Sequence, residues 1–251
     1  MELTDATFWA LAIPAVIFAG VSKAGFGSGA AFAATPILAL VVDPATALGV
    51  MLPLLMLVDL ATLRPYWGQW HMPSVRLIAL GALPGVALGA GLYEVAPADL
   101  FRFLIGAVAV GFVAFQMAVR LRLLRYRAEP FSREAGLVAG LLAGFTSFIS
   151  HAGGPPVAIY LLAQGMGKTT YQASTVLIFW LVNIYKFVPY ALLGIFTGAT
   201  LRADLLLAPF ALLGAWLGVR AHRLVPEGLF FAITYVLLTV TGTKLIWDSL
   251  S

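Results

Sequence analysis

The sequence predicts an all-α integral membrane protein made of two inverted-topology repeats. Each repeat is a broken helical hairpin followed by three transmembrane helices, giving about 8 transmembrane elements. Three observations predict it: the composition, two glycine-rich interruptions, and the odd number of spans in each half. Of the 251 residues, 61% are hydrophobic and 10% charged, against roughly half and about a quarter in soluble domains. The mean hydropathy is +0.97. This balance excludes a soluble enzyme, a disordered chain and a nucleic-acid binder, and makes the lipid bilayer a partner. The absence of Cys excludes disulfides, thiolate metal sites and a cysteine nucleophile. The three His are too scattered for a metal motif, so neither metal nor cofactor is expected.

Apolar segments run at about 6–21, 30–42, 45–63, 75–92 and 99–119, then at about 134–149, 155–165, 171–193, 204–219 and 229–247. Backbone polar groups cannot stay open in lipid, and the alternation of a membrane barrel is missing, so all are read as helices. A span needs roughly 20 residues. The second and seventh segments are too short, and each follows a break: Ala24-Gly25-Phe26-Gly27-Ser28-Gly29, and Ser150-His151-Ala152-Gly153-Gly154-Pro155-Pro156. Segments one and two therefore form one hairpin, and six and seven another. The first segment lacks the basic start and cleavage site of a signal peptide, so it is expected to remain. The expected units are a first membrane repeat at 1–119, a basic linker at 120–133 and a second, inverted repeat at 134–251.

Basic residues orient the chain. Arg64 and Arg76, then Arg120, Arg122, Arg125, Arg127 and Arg133, then Lys168, then Arg220 and Arg223 all fall on one face if each hairpin returns to its own side. By the positive-inside rule that face is cytoplasmic. The N-terminus, the turns at 94–99 and 194–203 and the C-terminus then lie outside. Arg102 and Lys244 read as interfacial anchors, and Tyr66, Trp67 and Trp70 as an aromatic belt.

Three spans after each hairpin invert the second half, and traces of duplication agree. Ser22, Gly29 and Ala33 match Ser147, Gly154 and Ala158 at one offset. Leu80-Gly81-Ala82-Leu83-Pro84-Gly85 echoes Leu213-Gly214-Ala215-Trp216-Leu217-Gly218, and Pro97 to Phe101 echoes Pro226 to Phe230. Gly81, Gly85, Gly214 and Gly218 read as helix-packing positions, and a small-residue face such as 81–91 suits contacts within a protomer or across a homodimer. Inverted repeats with broken helices are typical of secondary transporters, whose sites lie at the repeat interface.

Charges within membrane segments are costly and usually functional. Lys23 lies at the first break, His151 at the second, Asp59 in the third segment and Lys186 in the eighth, three positions after Asn183 on the same helix face. Two lysines near broken helix ends suggest an anionic ligand. Backbone N–H groups of helices starting near 28–30 and 155–156 would add to its binding. The expected substrate-binding set is Ser22, Lys23, Gly27, Ser28, Gly29, Ser150, His151, Gly153, Gly154, Asn183 and Lys186. Asp59 reads equally as a proton carrier or as a lysine's partner, Lys186 as a site residue or as a lysine that snorkels or forms a structural ion pair with Asp59, and His151 as a proton relay or as a hydrogen-bonded neutral imidazole. No catalytic residue is expected: Gly27-Ser28-Gly29 lacks the wider nucleophile-elbow pattern, and Gly167-Lys168-Thr169 lacks the earlier glycine of a phosphate loop.

Lys23-Ala-Gly-Phe-Gly-Ser-Gly29 with Thr35-Pro36, its counterpart Ser150-His-Ala-Gly-Gly-Pro-Pro156, and Asn183-Ile-Tyr-Lys186 followed by Pro189-Tyr190 and Gly194 resemble the TauE/SafE family of membrane permeases. The resemblance spans nearly the whole chain. It implies a bacterial inner-membrane transporter of two four-helix inverted halves, associated with export of sulfite, sulfoacetate and related organosulfur anions. It also implies a binding role for Lys23, the tip glycines, Asn183 and Lys186. The second tip departs from the usual glycine-only pattern by carrying His151 and two prolines, which leaves the particular anion open. The expected function is export of such an anion by alternating access. The alternatives are an anion channel, or a membrane-embedded enzyme or assembly factor.

Overall fold

A computed structural model describes residues 5–25, 31–121, 123, 132–224 and 227–251. Apart from short turns the described residues are helical: α1 (Ala6–Gly25), a 3-10 turn and α2 (Ala34–Ala39), α3 (Pro44–Leu63), α4 (Met72–Val95), α5 (Ala98–Arg120), α6 (Arg133–Ser150), α7 (Gly154–Ala163), α8 (Lys168–Leu192), α9 (Gly198–Leu224) and α10 (Glu227–Leu250). Six of them, α1, α3, α4, α5, α8 and α9, are long and apolar enough to cross a membrane. The protein is thus an all-α membrane protein. Leu80, Leu88, Leu205 and Val236 point outward and exposed, as lipid-facing side chains do.

The ends of the helices follow local chemistry. Asp43 caps α3 by accepting from the Thr46 N–H at 2.9 Å, with Pro44 at the first helical position. Ser132 caps α6 through the Ala135 N–H at 3.2 Å. The segment expected at 30–42 is a 3-10 turn followed by a six-residue helix. Thr35 and Ile37 are β-branched and Pro36 has no backbone N–H to donate, which gives so short a helix little to build on. α9 starts at Gly198, six residues before the expected segment, because Thr197 and Thr200 cap one another's backbone.

Glycine sets the helix pairs. α1 packs on α9, α4 on α6 and α5 on α10, while α3 lies against α8 and α9, and α8 also against α4. A Cβ on Gly20 would stand 2.7 Å from the Ala211 oxygen, and one on Gly214 2.5 Å from the Ile17 oxygen. On α4, Gly81 and Gly85 would meet the Leu137 and Leu141 oxygens at 2.2 and 2.1 Å. These backbones therefore touch, as small-residue membrane contacts allow. The face at 81–91 is spent inside the protomer as far as Gly89, which meets Phe148, and only Gly91 faces open space.

Candidate functional site

The break after α6 is built around one residue. His151 adopts a left-handed conformation (φ 57°), the single positive φ on a non-glycine among the described residues. Its N–H returns to the Ser147 oxygen at 2.9 Å and the Ala152 N–H to the Thr146 oxygen at 3.3 Å. This is the bonding of a helix end that glycine usually closes. An L-residue held there carries strain, which clusters at functional sites.

The turn aims the imidazole at the middle of α8. Its Nδ1 lies 2.7 Å from Lys186 Nζ and its Nε2 3.2 Å from the Leu48 oxygen of α3. Since a carbonyl only accepts, Nε2 carries the hydrogen and Nδ1 accepts from Lys186. The imidazole is then neutral, and Lys186 has no carboxylate partner. Lys186 donates a second bond to the Ser147 oxygen at 3.2 Å and is fully buried.

Lys23, in the last turn of α1, forms a buried ion pair with Asp59 of α3 and reaches the Leu55 oxygen at 3.4 Å. Its ammonium stands 5.8 Å from the centre of the Phe179 ring, within cation–π range. The other carboxylate oxygen of Asp59 accepts from Asn183 Nδ2 at 2.7 Å. Asp59 is thus a lysine's partner, and that lysine is Lys23 rather than Lys186.

Lys23, Asn183, His151 and Ser147 line one small cavity with Ala31, Phe32, Leu55 and Phe179. The free space takes about one water-sized group. Asp59 lies behind Lys23 and Asn183, and Lys186 behind His151, each a single hydrogen bond from the wall. Both helix breaks thus contribute to one site.

The remaining expected residues are placed as follows. Ser22 is buried, and its hydroxyl has no hydrogen-bond partner among the described residues. Ser150 turns back on its own helix, donating to the Thr146 oxygen at 3.2 Å. Gly153 caps α7, where a Cβ would stand 2.9 Å from the Phe179 ring, and Gly154 opens the helix. Gly27, Ser28 and Gly29 lie outside the described residues. Sequence reasoning passed over Phe179, the carbonyls of Leu48 and Leu55, and Gln172, whose Nε2 donates to the Lys23 oxygen at 3.0 Å. One signal was available: 172, 179, 183, 186 and 190 recur at helical spacing and so share a face of α8. Asp204 of α9 was also passed over. It is buried away from the cavity, and neither carboxylate oxygen has a partner among the described residues.

No curated protein and no solved structure matches the chain. A family comparison does: residues 12–245 match the family described as "Sulfite exporter TauE/SafE". The match takes in both helix breaks and every residue of the buried charge cluster. The chain belongs to the TauE/SafE sulfite exporter family.

Proposed function

We propose that this member of a family of membrane transporters of sulfur anions is a secondary transporter exporting a small anion such as sulfite, sulfoacetate or a related organosulfonate by alternating access. The observation that carries this reading is one small cavity that Lys23, Ala31 and Phe32, on either side of the first helix break, share with His151 of the second, with Lys186 behind it. A space for about one water is smaller than such an anion, so taking one up requires the helices to move, as they do in a carrier.

The helix partnerships support two halves related by inversion. If α1 to α5 correspond to α6 to α10, then α1 on α9 corresponds to α6 on α4, and α5 on α10 maps onto itself. The glycine pairs that echo in sequence, Gly81 with Gly85 and Gly214 with Gly218, occupy corresponding contacts. Rocking one half on the other would then expose the cavity to either side in turn. In a bacterial inner membrane with both termini periplasmic, the inside-negative potential favours outward movement of an anion by about 2.3 kcal/mol per charge per 100 mV. Asp59 and His151 could add proton coupling, but this force does not require it.

The test is flux of labelled sulfite, sulfoacetate and taurine in proteoliposomes. Saturable flux with counter-exchange is expected, lost in Lys23→Ala and Lys186→Ala. Normal transport of every anion by both variants would refute the site, and unsaturable ohmic current would establish a channel.

A further inference from the structure

The two lysines of the site differ in what balances them. Lys23 meets a carboxylate, and that carboxylate takes the Asn183 amide as well. Asp59 thus occupies a pair of donors, one cationic and one neutral, of the kind that binds a substrate oxyanion. Lys186 meets only acceptors without charge, a backbone oxygen and the Nδ1 of a neutral imidazole. No carboxylate lines the cavity among the described residues. With Lys186 protonated, Lys23, Asp59, Lys186 and neutral His151 carry one net positive charge. A buried charge without a counter-ion is costly, and an arriving anion, by supplying one, favours the protonated lysine.

We propose that Asp59 is the resident counter-ion of the site and determines its specificity. By cancelling Lys23 it leaves a single positive charge, at Lys186, so the site takes oxyanions carrying one negative charge and disfavours those carrying two. A singly charged anion brings the closed site to neutrality. A dianion overshoots and is repelled by the Asp59 carboxylate, which faces the same donors. The inference rests on the transport reading and narrows it to hydrogensulfite and simple sulfonates, with sulfoacetate, a dianion, disfavoured.

Isethionate and sulfoacetate make a matched pair: both are two-carbon sulfonates, one ending in a hydroxyl and the other in a carboxylate. Their competition for labelled anion uptake is measured in proteoliposomes with wild type, Asp59→Asn, Lys186→Gln and the Asp59→Asn/Lys186→Gln double variant. Wild type is expected to prefer isethionate. Asp59→Asn, with a charge of two, shifts the preference toward sulfoacetate by about tenfold or more, as a unit charge in a buried site allows. Lys186→Gln, with no net charge, loses uptake of both. The double variant returns to one charge and recovers isethionate uptake, an effect that a merely structural role for either residue does not produce. Thermal unfolding in detergent establishes that each protein is folded. If Asp59→Asn does not fold alone, recovery in the double variant decides.

An unchanged preference in folded Asp59→Asn overturns the proposal, and so does a folded double variant that stays inactive. If wild type moves both anions but discriminates by something other than charge, the proposal falls and the transport reading stands. If wild type moves neither those anions nor sulfite, both fall.

Discussion

His151 combines a backbone penalty with a side-chain gain. Glycine in its place would relieve the left-handed strain, worth about 1 kcal/mol, but would leave a buried ammonium short of an acceptor, at about 1–3 kcal/mol or more. His151→Gly is therefore expected to lower the unfolding temperature in detergent and to abolish anion uptake; a higher unfolding temperature would show that strain dominates. Asp204 presents the reverse balance, a buried carboxylate without partners. Asp204→Leu is expected to raise the unfolding temperature, because an apolar side chain of similar size leaves no buried polar atom unpaired; a fall would reveal a bond that the carboxyl makes. The five polar residues of the cluster were legible because each stands out in an apolar run. Their pairing was not. Lys23 and Asp59 lie 36 positions apart, and nothing local decides which lysine the carboxylate meets. Asp204 escaped notice because it sits where the apolar run begins and resembles a turn residue until α9 is seen to start at Gly198.

Among the helices, the glycine contacts yield a paired prediction on α4. Gly85→Ala would drive a Cβ to 2.1 Å from the Leu141 oxygen, and a backbone atom cannot give way cheaply. A loss of about 1–3 kcal/mol is expected from the overpacking. Gly91→Ala meets nothing within 4 Å and is expected to stabilise by about 1 kcal/mol through helix propensity. Unfolding in detergent compares them, and equal effects would mean that α4 and α6 separate readily. Element positions were legible because apolar runs and Gly–Pro breaks set them. The 3-10 turn before α2 was not, since its Ala and Phe residues look like any apolar helix.

For the molecule as a whole, the lack of Cys makes sidedness directly measurable. Gln69, in the turn between α3 and α4, and Ala199, in the first turn of α9, are both exposed, and the arrangement of helices puts them at opposite ends. In vesicles with the periplasmic face outward, a membrane-impermeant maleimide is expected to label Ala199→Cys and to spare Gln69→Cys until the vesicles are opened. The reverse pattern would invert the proposed orientation.

Among the side-chain hydrogen bonds that tie residues before the basic linker to residues after it, three stand at different heights along α8 and α3. Gln172 holds the Lys23 oxygen near the start of α8, Asn183 holds Asp59 at its middle, and His151 holds the Leu48 oxygen near the start of α3. On the proposed transport reading the outer two act as separate latches. Each is a bond between uncharged groups, worth about 0.5–1.5 kcal/mol net, little more than thermal energy supplies. Either end could then unfasten while the middle holds, and the two entrances would never need to be open together.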